Sequence, residues 1–147
     1  MAESKDEKAI EIRDVVKRFG RVMALDRLSF EVPSGVIAGF VGPNGSGKTT
    51  TMRILATLLK QDAGIARVFG CDTGSDGGAR QVRRMIGFVP DYFGLYTDMT
   101  PSEYLDFFAA AYRIPGRQRP GLIRDMLSLL SLSDKADTLI SGLSRGM

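Results

Sequence analysis

Apolar and polar positions alternate along the first third of the chain. AIEIRDVVKRF (9–19) carries Ile10 and Ile12, then Val15 and Val16, and RLSFEV (27–32) sets Leu28, Phe30 and Val32 on one face. A period of two predicts antiparallel strands with one buried face. GVIAGFVG (35–42) is almost continuously apolar, which predicts a strand covered on both faces in a parallel sheet. The next segment, KTTTMRILATLLKQDAG (48–64), has Met52, Leu55, Leu58 and Leu59 at helical spacing, with Gly64 placed to end the helix. IARVFG (65–70) predicts a short strand, and CDTGSDGGA (71–79) a flexible turn region. Residues 79–85 predict a short basic helix, and MIGFVP (85–90) a second buried strand.

From residue 99 the pattern turns helical. TPSEYLDFFAAAY (100–112) places Thr100 as N-cap, Pro101 at the first helical position and Glu103 three residues after the cap. These three start signals are in register. Pro115 and Gly116 are placed to end that helix, PGLIRDMLSLLSL (120–132) predicts a second amphipathic helix, and SDKADTLI (133–140) a short third element. There is no internal repeat and no low-complexity linker.

The chain has 147 residues, 44% hydrophobic and 25% charged, the size and composition of one globular domain. No run of eighteen apolar residues occurs, and the polar start MAESKDEKAIEI lacks the layout of a secretory signal. Cys71 is the single cysteine, so no internal disulfide is possible, which fits a reducing cytoplasm. Twenty Lys and Arg against 17 Asp and Glu give a net charge of +3. The excess is scattered, apart from the local group Arg80, Arg83 and Arg84, and no basic stripe interleaved with aromatics marks a nucleic-acid surface. The absence of histidine removes the commonest general base and metal ligand.

The strongest chemical signal is GPNGSGKTT (42–50). It matches G-x-x-x-x-G-K-[ST] through Gly42, Gly47, Lys48 and Thr49, between a predicted buried strand and an amphipathic helix. A phosphate chain needs several N–H donors converging on it. Gly42, Gly45 and Gly47 let the backbone come close, and the helix start adds free N–H groups and the positive end of a dipole. Lys48 supplies charge for the β- and γ-phosphates, and the Thr49 hydroxyl is a ligand for Mg²⁺. This segment is expected to bind a nucleoside triphosphate with Mg²⁺.

Four stretches together resemble the ATP-binding domain of ABC (ATP-binding cassette) transporters, from about residue 9 to the last residue. VVKRFG (15–20) is similar to the segment whose aromatic residue stacks on adenine, here Phe19. Taken alone, Phe19 reads rather as a core residue at a strand end. GPNGSGKTT matches the family's phosphate loop through Pro43, Asn44, Gly45, Ser46 and the doubled Thr49-Thr50. IGFVPDYFGLYTDMT (86–100) resembles the loop linking nucleotide to the helical subdomain, with Asp91 where most members carry glutamine. Asp91 can offer an oxygen to Mg²⁺ but adds negative charge beside a polyphosphate, and a turn aspartate after Pro90 is the alternative. LSRGM (143–147) resembles the signature Leu-Ser-Gly-Gly-Gln, with Arg145 and Met147 replacing a glycine and the glutamine. There the resemblance implies a helix start whose Ser144 and Gly146 contact the γ-phosphate held by a second domain.

The resemblance implies an α/β fold: a P-loop NTPase core with an N-terminal antiparallel β subdomain and a helical subdomain, the C-terminal part of the core missing. On that basis residues 1–8 are a flexible tail, 9–94 the nucleotide-binding core with the β subdomain, and 95–147 the helical subdomain ending in the signature segment. The family is an ATPase, but the Walker B aspartate, catalytic glutamate and switch histidine that follow the signature are not found here, so no catalytic residue is assigned. ATP and Mg²⁺ are the implied cofactors.

The implied partners are a second ABC ATP-binding domain in a head-to-tail dimer and a transmembrane permease subunit, with no nucleic acid. The implied location is peripheral, on the cytoplasmic face of the membrane through the permease. The variant loop at 86–100 most resembles the exporter branch. The expected function is therefore a partial ATP-binding subunit coupling ATP binding and hydrolysis to export. The alternative is a non-catalytic nucleotide-binding or regulatory fragment that pairs with a complete cassette. Without its remaining sheet neighbours the 35–42 strand is expected to expose apolar edge and lower stability.

Overall fold

The computed structural model describes residues 8–90 and 94–144, which form two compact units dividing between Val89 and Pro90. In the first unit, strands β1 (Lys8–Phe19) and β2 (Val22–Pro33) pair antiparallel around the Gly20-Arg21 turn. Strand β3 (Ala63–Val68) pairs with the other edge of β1, and the short β4 (Cys71–Asp72) pairs with β3, giving the order β2-β1-β3-β4. Helices α1 (Lys48–Leu55) and α2 (Asp76–Met85) complete the unit.

The core takes Ile12 and Val15 from the first predicted alternation, while Leu28 and Phe30 of the second are only partly buried against it. Ile12, Val15, Leu25, Ala66 and Val68 of the sheet pack with Ile54 and Leu55 of α1 and Val82 of α2. Ile12, Val15, Ile54 and Val82 are fully buried, each stabilising the fold by about 1.5–3 kcal/mol relative to exposure. Ile12 and Val15 are three apart, a spacing that breaks a period of two. A register shift between them, with Asp14 at φ 48°, adds the extra residue that brings both to the same face. The bulge is held by the Asp14 N–H donating to Ser29 Oγ, 2.7 Å, and by close packing of Gly64 on the Asp14 carbonyl.

Glu11 is buried beneath cations. Its carboxylate meets Lys8 at 3.8 Å, Arg67 at 3.2 Å and the Arg13 guanidinium. Burial pushes the carboxyl upward, but the Arg67 hydrogen bond and the charges of Arg13 and Lys8 outweigh it and hold it below the ordinary value.

Several expected elements differ. Residues 35–42 and 86–90 are not strands. Ile37 and Val41 are 105% and 90% exposed and Val89 is 85% exposed. A strand needs a neighbour to take its N–H and C=O groups, and the sheet order β2-β1-β3-β4 supplies none to these ribbons. Phe40 packs the first ribbon against the sheet, its ring 5.2 Å from that of Phe30.

Helix α1 stops at Leu55 rather than near Gly64. Leu58 N–H donates to the Arg53 carbonyl and Thr57 N–H to the Ile54 carbonyl, with Thr57 left-handed at φ 60°. That is a Schellman ending built on threonine instead of glycine. Gly64 instead lies within β3 at φ 85°. Part of the expected flexible turn is ordered: Ser75 caps α2 by accepting from the Gly78 N–H at 3.1 Å, so that helix starts earlier than predicted.

The second unit contains α3 (Pro101–Ala111) and α4 (Arg119–Leu129). The expected capping box is present: Glu103 N–H donates to Thr100 Oγ1 at 3.3 Å, and Thr100 N–H to Glu103 Oε2 at 2.8 Å. α3 ends before Pro115, because Arg113 turns left-handed at φ 61°. The third element is a single 3-10 turn, Ser133–Lys135, followed by another at Ile140–Gly142. Ile140 N–H donates to the Met99 carbonyl, 2.9 Å, and Ser102 N–H to that of Ala136, 3.2 Å, which ties the segment back to the start of α3.

Candidate functional site

The phosphate loop lies between the exposed 35–42 ribbon and α1. A Ser46 N–H to Pro43 carbonyl bond of 3.2 Å closes its turn, and Gly45 and Gly47 take φ 82° and 90°. Gly47 has no room for a side chain. A Cβ there would stand 2.7 Å from the Ala24 carbonyl oxygen and against Leu25 Cδ2. The close approach fixes the loop's exit onto β2.

Helix α1 begins directly at Lys48. Its first main-chain bond runs from the Thr51 N–H to the Gly47 carbonyl, 2.8 Å, with Thr51 Oγ1 donating to the same carbonyl at 3.0 Å. The amides of Lys48, Thr49 and Thr50 therefore have no acceptor within the helix. Among the described residues no side chain caps this end, and no acidic residue stands in the first turn. An anion is the group such an end lacks.

Lys48 Nζ donates to the carbonyls of Gly42 and Pro43, 2.7 Å each, which holds the ammonium over the loop. Pro43, Asn44, Ser46 and Thr49 are exposed and Thr50 is half-buried. Among the described residues no cluster of three or more Cys, Asp or Glu side chains could hold a metal by itself. A metal at Thr49 would have to share its coordination with phosphate oxygens and water, the usual arrangement for Mg²⁺. Glycine conformation, an uncapped helix start and a positioned ammonium all fit a polyphosphate with its cation.

Phe19 ends β1, 50% exposed, opposite Val22. Lys17, two residues earlier, stands opposite Leu25, on which Gly47 packs. Two strand residues span about 7 Å, so the aromatic ring and the loop exit share one end of the hairpin. Asp62 binds this end, accepting from Lys17 Nζ at 2.8 Å and from the Arg18 N–H at 2.7 Å. Those two bonds, the Lys17 one foremost, hold its carboxyl below the ordinary value.

Two hollows lie elsewhere. One of ≈ 220 Å³ is lined by Thr57, Lys60, Ser75 and Arg83, the other, ≈ 800 Å³ in the second unit, by Met99, Glu103, Phe107 and Ile123. Neither includes a residue of the loop.

Residues 25–147 match the family model described as ABC transporter. The chain belongs to the ABC transporter family. This ABC chain is 37% identical over 138 residues to the Nod factor export ATP-binding protein I of Burkholderia lata, covering 94% of this chain and 45% of that protein. It is 39% identical over 124 residues to the probable multidrug ABC transporter ATP-binding protein YbhF of Escherichia coli, covering 84% of this chain and 21% of that one. The chain thus spans less than half the length of these curated relatives.

A solved structure described as the ATP binding subunit of an ABC transporter superposes with a TM-score of 0.75 at 24% identity, over 95% of this chain and 57% of the other. A nucleotide-free ATP-binding cassette from an ABC transporter gives a TM-score of 0.73 at 25% identity, over 93% and 59%. These likenesses place the ABC chain in the expected P-loop NTPase fold class.

The structure brings Phe19 and the loop to one hairpin end. Ser144 is exposed after the Ile140–Gly142 turn. Asp91 and Gly146, the other expected contacts, lie outside the described residues, as do Arg145 and Met147. Sequence reading missed Lys17 and Asp62. No motif marks them, because their meeting depends on pairing β1 with the strand that follows α1. No helix among the described residues is long and apolar enough to cross a membrane.

Proposed function

We propose that this chain is part of the ATP-binding subunit of an ABC exporter. The observation that carries the reading is the uncapped start of α1 beneath a left-handed glycine loop with Lys48 held over it. In this reading the Lys48, Thr49 and Thr50 amides, with those of the loop from Gly42 to Gly47, receive the β- and γ-phosphates. Lys48 leaves its two carbonyls for phosphate oxygens. The Thr49 hydroxyl meets Mg²⁺, with Asp91 as a further oxygen donor, and Phe19 stacks on adenine. Mg²⁺ supplies neutralisation of the charge on the phosphates.

Export as the direction of transport rests on the name of the Burkholderia lata relative, a Nod factor export ATP-binding protein. The partners of the reading are a membrane permease and a second cassette, to whose γ-phosphate Ser144 and Gly146 are presented, at the cytoplasmic face of the membrane. No Asp-Glu pair closes an apolar strand within these 147 residues, and no histidine occurs. The exposed apolar ribbons 35–42 and 86–90 fit a chain that spans 45% of its Burkholderia lata relative.

Titration calorimetry of the wild-type chain and of Lys48→Ala with MgATP tests the proposal. Binding by the first and marked weakening in the second is expected. Equal affinities would remove the phosphate-loop assignment.

A further inference from the structure

The end of β1 before Phe19 is irregular. Its register on β2 shifts between Val15 and Lys17 and again between Lys17 and Arg18, and the hairpin turn follows at once. A half-exposed ring on such a tip has little packing to fix its direction. Three bonds from one residue hold the tip. Asp62 N–H donates to the Val16 carbonyl at 2.9 Å, Asp62 Oδ1 accepts from Lys17 Nζ at 2.8 Å, and Asp62 Oδ2 accepts from the Arg18 N–H at 2.7 Å. Three consecutive residues are thereby tied to the chain entering β3, and Phe19 is the next. Lys17 Nζ also lies 5.7 Å from the Phe19 ring centroid, within range of a cation–π contact. Its side chain is largely buried, and the same ammonium is held by Asp62, so its place over the ring is fixed from both sides.

From these contacts we infer that Asp62, acting through Lys17 and the Arg18 amide, is a positioning residue that sets the Phe19 ring for stacking on the nucleotide base. One face of the ring carries the Lys17 ammonium, which leaves the other for the base. The inference rests on the reading of Phe19 as the base-stacking residue, and its test separates the two.

The test compares MgATP with magnesium tripolyphosphate, which offers the phosphates without a base, by titration calorimetry of the full chain. Phe19→Ala is expected to weaken ATP while leaving tripolyphosphate unchanged. Asp62→Asn is expected to weaken ATP about three- to ten-fold, again with tripolyphosphate unchanged, a fraction of what complete loss of base stacking costs. Added to Phe19→Ala, Asp62→Asn should cause no further loss. Lys17→Met should reproduce the selective loss and Lys17→Arg should restore most of it, which keeps the test open if Asp62→Asn does not fold by circular dichroism.

A merely structural role for Asp62 would weaken both ligands alike. That result, or no change in either beside a selective Phe19→Ala, overturns the positioning role and leaves stacking standing. A Phe19→Ala chain with no selective loss overturns the stacking reading, and the positioning role falls with it.

Discussion

The Lys48 ammonium lies 2.7 Å from the Gly42 carbonyl oxygen, folded back across the loop that its own helix terminates. A second bond of 2.7 Å to Pro43 completes the arrangement. Both contacts are exposed, so they hold the side chain in place while adding little to the fold.

Lys48→Ala should therefore separate binding from stability. Loss of one charged donor to phosphate costs about 1.5–3 kcal/mol of MgATP binding, read by calorimetry. The thermal midpoint should stay close to that of the wild type, because the lysine's protein contacts face water.

Gly47→Ala should do the opposite first. Its φ of 90° and the Ala24 carbonyl 2.7 Å from the new Cβ require the backbone to move. A cost of about 1–3 kcal/mol in urea unfolding is expected, and nucleotide binding should fall with it, since the helix start is displaced.

Thr100→Ala removes the acceptor that Glu103 N–H uses and the cap of α3. The expected loss is about 1 kcal/mol, measured by thermal unfolding followed at the helical circular dichroism band. Glu103→Gln should cost less, because an amide oxygen can still accept from the Thr100 N–H.

Acid should loosen the first unit. Asp62 and Glu11 are both held below their ordinary values, Asp62 by Lys17 and the Arg18 amide, Glu11 against its burial by Arg67, Arg13 and Lys8. A lowered folded value means that the unfolded chain binds protons first as pH falls. Their contribution is thus complete above the ordinary carboxylate range, about pH 4–5, and is lost as pH drops through the lowered folded values. Urea midpoints measured from pH 6 to pH 2 should show the fall, and Asp62→Asn should flatten it.

Ile37 is fully exposed on an apolar ribbon that has no strand partner among the described residues. Ile37→Lys should reduce self-association in light scattering without lowering the thermal midpoint, since charge on an open apolar edge blocks pairing.

The outcome at each element shows which physics was local. The phosphate loop, the Thr100 capping box and the first hairpin were legible because glycine conformation, side-chain capping and two-residue alternation act over a few residues. At 35–42 the expected exposed apolar surface is present but the strand is not: apolar content states that a segment wants burial, while a strand exists only when another backbone pairs with it. α1 was read too long because Thr57 takes a left-handed turn that composition assigns to Gly64. Phe19 was legible only as a candidate, and Lys17 and Asp62 not at all.

The sequence by itself determined the phosphate-loop motif, since its glycines, lysine and hydroxyls all lie within the nine residues of GPNGSGKTT. Tertiary structure alone decided that the loop exit rests on Leu25 and that Asp62 closes on Lys17, which stands opposite Leu25, and on Arg18. Those contacts depend on sheet register, set by a bulge at Asp14 and by β3 returning beside β1, and register is a property of paired backbones rather than of any one segment.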